Sequence, residues 1–243
     1  KSIEDVFHKT YWRDGYYGSE GKPKDERVSA LAILTGLADE STYDALLKNV
    51  LITEYNASPH MEWIIEESMI LAGDTPAALN RMKERHAFQV DDESVTTLCE
   101  KFGKRKGTYN HAWNAPNYVL SRYIAGVSAT DVAWKEYQVM PNLAHLTAVK
   151  QVVPSVKGDI TVEIKRTDKA YGMKLVSPEG TTAIVGIPKA SINPKVIEVN
   201  GSKVWKNGAF VGDAAGITWN GEDDDYIKFN VAPGAWTFYA QEK

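Results

Sequence analysis

The sequence predicts a multidomain chain, all-α first and all-β after, with the change of character near residue 135. Three observations carry that prediction. Before residue 135 apolar residues recur at helical spacing, whereas after it they alternate with polar ones. Asn200-Gly201, set between Val199 and Val204, is a hairpin signal because both central positions of a tight hairpin turn take positive φ. Punctuation at Pro154, Pro178, Gly180, Pro188, Pro194 and Pro233-Gly234 spaces the strands of the second half like those of a sandwich. The expected division is 1–134 for the helical part and 135–243 for an antiparallel β-sandwich.

Each element has its own signal. Val28, Leu31, Ala32, Leu34 and Leu37 form one apolar stripe, led in by Pro23 and Asp25 and closed near Gly36 and Asp39. A second helix is expected over 41–55, with Leu46, Leu47, Val50 and Leu51 inward and Ser41 as N-cap. Ser58-Pro59 is the cap and first-turn proline pair that opens a third, which Gly73 ends. A fourth covers 75–85 with Ala78, Leu79 and Met82 inward, and a fifth over 114–125 stops at Gly126. Short helices joined by short loops imply an α-hairpin array. In the second half Ile160, Val162 and Ile164 alternate with Thr161, Glu163 and Lys165. Ile227, Phe229 and Val231 do so with Lys228 and Asn230, and Trp236 and Phe238 repeat the pattern.

Composition narrows the function classes. A chain of 243 residues, 43% hydrophobic and 25% charged, is long enough for two ordinary globular domains. The net charge of -4 offers no basic patch, so neither nucleic acid nor an anionic membrane is an expected partner. No apolar run reaches the length of a spanning helix. One cysteine permits no internal disulfide and leaves the compartment open, with periplasmic or secreted favoured if the source degrades glycans. The start at Lys1-Ser2, without an initiator methionine or apolar leader, reads as a processed chain or a piece of a longer one. There is no His/Cys metal spacing, phosphate loop or G-x-S-x-G elbow, so no cofactor is expected.

The chemistry concentrates around Glu100, which closes the run Thr96-Thr97-Leu98-Cys99-Glu100, with Asn110-His111-Ala112-Trp113 after a short basic loop. Carboxylates cleave glycosidic bonds, and a water-activating carboxylate must stay ionised. Lys101, Lys104, Arg105 and Lys106 favour that charged form. The competing reading, which spacing alone favours, is a capping box of Thr97 and Glu100 at a surface helix. His111, with Asn110 and Trp113, either contacts sugar hydroxyls or sits satisfied at a helix start. Trp12, Tyr16 and Tyr17, and Trp63 further on, suit a cleft rim or the core, with the core favoured. Glu26 and Glu66-Glu67 are expected on solvated helix faces, and Asp223-Asp224-Asp225 in a hairpin turn rather than a calcium loop.

Several segments stand in an order that carries a resemblance. They are Lys24-Asp25-Glu26-Arg27 leading into Ala30-Leu31-Ala32 and Gly36-Leu37-Ala38, then Ala57-Ser58-Pro59-His60-Met61-Glu62, then Thr96 to Glu100. Tyr109-Asn110-His111-Ala112-Trp113, Ala125-Gly126-Val127, Tyr137-Gln138-Val139-Met140-Pro141 and Val156-Lys157-Gly158 follow. Over most of its length the chain resembles the C-terminal part of an α-L-rhamnosidase of glycoside hydrolase family 78. The resemblance implies a partial (α/α)6 barrel followed by a β-sandwich, and hydrolysis of terminal α-L-rhamnosides with inversion. It implies a rhamnose-containing oligosaccharide or glycoside as partner, Glu100 as the general base, and His111, Asn110 and Trp113 as substrate-binding residues. The family's general acid lies in an Asp/Glu-Arg-x-Gly-Trp motif, and after Asp25-Glu26-Arg27 this chain continues Val28-Ser29-Ala30 instead. Cys99 stands where the family has an aromatic residue, and Asn114-Ala115-Pro116 replaces a glycine-rich run. The alternatives are a catalytically silent carbohydrate-binding module or part of another (α/α)6-barrel glycosidase.

Overall fold

The computed structural model describes residues 2–94, 97–102, 115–190, 192–212 and 214–242. They divide into two compact units, Lys1–Val119 and Leu120–Lys243.

The first unit holds six helices among its described residues. Helix α1 (Ile3–Tyr11) opens on a capping box, Ser2 and Asp5 each accepting the other's backbone N–H. Helix α2 (Glu26–Leu34) is capped by Asp25, which accepts the Arg27 N–H and is also gripped by the Arg27 guanidinium. Its buried stripe is Glu26, Ser29, Ala30 and Ile33, at i, i+3, i+4 and i+7. Val28 and Leu31, expected inward, are instead 38% and 42% exposed. The second expected helix is broken into a 3-10 turn (Glu40–Thr42), α3 (Tyr43–Leu46) and a π-helical turn (Leu47–Leu51). Asp39 rather than Ser41 caps it, because its carboxylate reaches the Ser41 N–H at 2.9 Å.

Ser58 caps no helix: its carbonyl accepts the Met61 N–H in a tight turn, and α4 (Glu62–Leu71) follows. Gly73, at φ +91, then ends α4 with the Asp74 N–H on the Met69 carbonyl, the left-handed close glycine allows. Helix α5 (Thr75–Val90) starts on an Asp74 cap with Pro76 in its first turn, and runs five residues past the expected Arg85. Helix α6 (Ala115–Val119) is short. Helix α4 is buried nearly all round, from Ile64 to Met69 without a break. Glu26, Glu66 and Glu67 are therefore not on solvated faces; they are 0%, 0% and 6% exposed. Tyr17 is fully buried among Phe7, Trp12 and His8, which makes this aromatic cluster core rather than rim.

The second unit opens with a π-helical turn (Leu120–Ile124) and carries twelve strands among its described residues. Strands β1 (Val127–Ala129) and β2 (Glu136–Val139) arrive before or at residue 136, so regular pairing starts earlier than the period-two signal. One sheet has the order β1-β2-β6-β11-β10, with β6 (Thr182–Pro188), β10 (Ile217–Glu222) and β11 (Tyr226–Val231). The other has the order β3-β4-β5-β12-β7-β8-β9. Its members are β3 (Ala148–Ser155), β4 (Gly158–Arg166), β5 (Ala170–Ser177), β7 (Val196–Val199), β8 (Ser202–Lys206), β9 (Ala209–Phe210) and β12 (Gly234–Gln241). All pairings are antiparallel except β2 with β6, which is parallel and corrects the purely antiparallel expectation.

The inward residues of both sheets form one core, in which Ile160, Val162, Ile164, Phe229, Val231 and Phe238 are fully buried. That is the layering of a sandwich. Tyr137 of β2 donates to the Ser177 hydroxyl of β5 at 2.8 Å, one polar tie between the sheets inside this core. Burial pushes the Tyr137 phenol up to about 12, so it remains a donor throughout the neutral range. Asn200 and Gly201, at φ +49 and +82, make the expected hairpin between β7 and β8. Gly126 is required for a different reason: a Cβ there would lie 2.1 Å from the Met140 carbonyl carbon. Asp223 closes the β10–β11 turn by accepting the Asp225 and Tyr226 N–H groups, as expected of a hairpin turn.

Candidate active site

Glu100 lies partly exposed in a stretch, Thr97 to Phe102, that belongs to no helix or strand. The capping-box reading of Thr97 and Glu100 therefore fails, since no helix starts there for a cap to serve. What holds the stretch is α5. Cys99 is 2% exposed, and its N–H donates to the Gln89 Oε1 at 3.0 Å. The Gln89 amide nitrogen faces the Lys101 carbonyl at a longer 3.5 Å. Phe102 packs edge-on against His86, ring centroids 5.2 Å apart, and lies under the Arg85 guanidinium at 3.8 Å. His111, Asn110 and Trp113, with Lys104, Arg105 and Lys106, lie outside the described residues.

Behind this stretch is a buried charge network. Arg81, 3% exposed, forks onto Glu62 at 2.8 and 3.1 Å and reaches Glu26 at 3.2 Å. Its remaining nitrogen donates to the Leu51 and Glu54 carbonyls. Arg85 donates to the same Glu62 at 3.0 Å and to the Ala57 carbonyl. Glu26 also accepts the Ala57 N–H and the Asn56 amide. Nearly every donor and acceptor is used, which is the condition for burying such charges without a large penalty. The face of Tyr55 covers the cluster, 4.7 Å from Arg81 and 5.5 Å from Arg85.

Two buried groups stand apart. Among the described residues neither carboxyl oxygen of Glu66 has a hydrogen-bond partner, and burial, reinforced by the nearby Glu62 charge, drives its pKa well above the usual carboxylate range. Its surroundings thus favour the neutral acid over the carboxylate. Burial pushes the His86 pKa down; its Nδ1 donates to the Met82 carbonyl at 3.1 Å, and its Nε2 has no partner among the described residues. Glu67 accepts the Tyr118 hydroxyl at 3.0 Å, and Trp63 packs edge-on to the Tyr118 ring. Trp63 is thus tied to α6 rather than standing free.

Gln89, Phe102 and the Glu62–Arg85 pair drew no attention in the sequence. The available signal was spacing: Arg81, Arg85 and Gln89 recur every four residues along α5, as do Glu62 and Glu66 on α4. Two polar stripes at helical period on neighbouring helices mark facing surfaces.

Comparison with known proteins adds to this geometry. Residues 126–201 match the family described as bacterial alpha-L-rhamnosidase C-terminal domain. No curated protein sequence matches the chain. Among solved structures, an α-L-rhamnosidase from Dictyoglumus thermophilum superposes with a TM-score of 0.78 at 20% identity, covering 98% of this chain and 28% of that one. A Streptomyces avermitilis α-L-rhamnosidase complexed with L-rhamnose gives 0.73 at 15% identity, covering 98% and 23%. The Aspergillus terreus enzyme gives 0.63 at 15% identity, covering 97% and 26%. The fold is accordingly shared with a portion of each of these solved structures, helices followed by two β-sheets. More narrowly, the chain resembles the C-terminal part of an α-L-rhamnosidase, and it spans about a quarter of the length of the solved enzymes it matches.

Proposed function

We propose that this chain is the base-bearing, C-terminal part of a glycosidase that cleaves terminal α-L-rhamnosides with inversion. The helical unit is then a portion of an (α/α)6 barrel. Glu100 activates the attacking water, while His111, Asn110 and Trp113 contact the sugar. The general acid comes from residues outside 1–243, because no Asp/Glu-Arg-x-Gly-Trp motif occurs within them. The observation that supports this reading best is the state of Glu100. It is a partly exposed carboxylate on an irregular segment whose two neighbours are bound to α5, in a chain that matches rhamnosidase folds over 98% of its length.

In an inverting hydrolase the acid and base stand about 6.5–9.5 Å apart, leaving room for the water between base and anomeric carbon. General-base assistance is worth roughly 10²- to 10⁴-fold. In the complete polypeptide that carries this chain, Glu100→Gln is expected to lower kcat on an aryl α-L-rhamnoside by that range while the melting temperature stays within a few degrees. Hydrolysis at a near-normal rate by this variant removes Glu100 from the mechanism.

A further inference from the structure

Gln89 sits in the last turn of α5, 2% exposed, and its amide spans the residue that carries the proposed base. The Cys99 N–H can only donate, so its 3.0 Å bond identifies the Gln89 oxygen and turns the amide nitrogen toward the Lys101 carbonyl at 3.5 Å. The two contacts fall on either side of Glu100. Since 97–102 lies in no helix or strand, no ladder of backbone hydrogen bonds fixes its path. A buried polar side chain is unfavourable unless its ends are used, and here both ends are directed at one loop. Phe102, held between Arg85 and His86, pins the far end of the same stretch to the same helix.

We infer that Gln89 is the positioning residue for Glu100: its amide brackets the backbone around residue 100 and sets where the carboxylate points. The inference rests on Glu100 acting as the general base and deepens that reading. Water activation demands hydrogen-bond reach, and displacement of a catalytic group by about 1 Å costs on the order of 10²-fold in rate.

The test compares Gln89→Met, similar in length but without either hydrogen bond, with Gln89→Glu, which keeps the acceptor for Cys99. Both are made in the complete polypeptide and assayed on an aryl α-L-rhamnoside beside Glu100→Gln. Site-resolved hydrogen exchange at the Cys99 amide supplies a readout independent of catalysis. The expected result for Gln89→Met is faster Cys99 exchange by tenfold or more, with protection along α5 unchanged. Its kcat is expected to fall 10- to 100-fold with KM within about twofold, and Gln89→Glu to recover most of that loss. Unchanged Cys99 exchange in Gln89→Met overturns the clamp itself. Faster exchange with kcat unaltered, while Glu100→Gln is inactive, overturns the positioning role and leaves the base standing. An active Glu100→Gln removes the base, and the inference falls with it.

Discussion

At the scale of single residues, the helical unit turns on how carboxyl groups are buried. Glu62 and Glu26 are engaged by arginines, whereas Glu66, one turn along α4 from Glu62, has no hydrogen-bond partner for either oxygen among the described residues. A raised carboxyl pKa in the folded state means that folding favours the protonated form. The associated stability is fully present below the unfolded value of 4.5 and is lost as pH rises toward the folded value. The loss has a limiting slope of about 1.4 kcal/mol per pH unit. Glu66→Gln mimics the neutral acid, so it is expected to flatten this dependence. Urea denaturation at pH 5 and pH 8 measures it: the variant gains on the parent as pH rises, and parallel pH profiles for the two proteins contradict the assignment.

Among elements, α4 and α5 are joined at this end by the ion pairs of Glu62 with Arg81 and Arg85. Arg81 is the node, since it serves Glu62, Glu26 and two carbonyls at once. Arg81→Met keeps much of the volume but leaves buried Glu26 without its cation and Glu62 with Arg85 alone. Breaking a buried pair in this way costs about 3–5 kcal/mol. The expected outcome is a lowered denaturation midpoint with an unchanged slope, and a midpoint within experimental error of the parent refutes the network's role. This interlock also explains what the sequence hid. Helix periods in α2, α4 and α5 were readable because apolar residues and caps such as Asp25 obey local rules. The direction faced by Glu26 and Glu62 depends on an arginine 55 and 19 residues away, which no local pattern contains. Val28 and Leu31 misled for the related reason that a period identifies a stripe without saying what covers it.

For the whole molecule, strand alternation, the Asn200-Gly201 turn and the sandwich were legible, because core alternation and turn chemistry are short-range. The parallel β2–β6 pairing was not, since between Glu136 and its partner Thr182 the chain runs through β3, β4 and β5 of the other sheet. Of the candidate site, family motifs single out Glu100 as a candidate, but the attachment of its segment to α5 was not legible, because Gln89 and Cys99 are brought together by tertiary packing. On the proposed two-part arrangement, with the general acid outside residues 1–243, the chain expressed alone is expected to release no aryl alcohol from an α-L-rhamnoside. Turnover above the uncatalysed background by residues 1–243 refutes the two-part arrangement.

The position of β12 has a consequence for how the chain is made. This strand, Gly234–Gln241, is inserted between β5 and β7 at the middle of the seven-stranded sheet, pairing with β5 from Gly234↔Ser177 to Gln241↔Ala170. During synthesis, at roughly 5–20 residues per second, β3, β4 and β5 leave the ribosome well before their central neighbour exists. The nascent sheet waits with β5 exposing an open edge, the kind that recruits other chains, and closes only when the last described strand is delivered. The seven-stranded sheet therefore cannot close before Gly234–Gln241 has emerged, whereas the helices of the first unit, built from contacts closer in sequence, are free to form earlier.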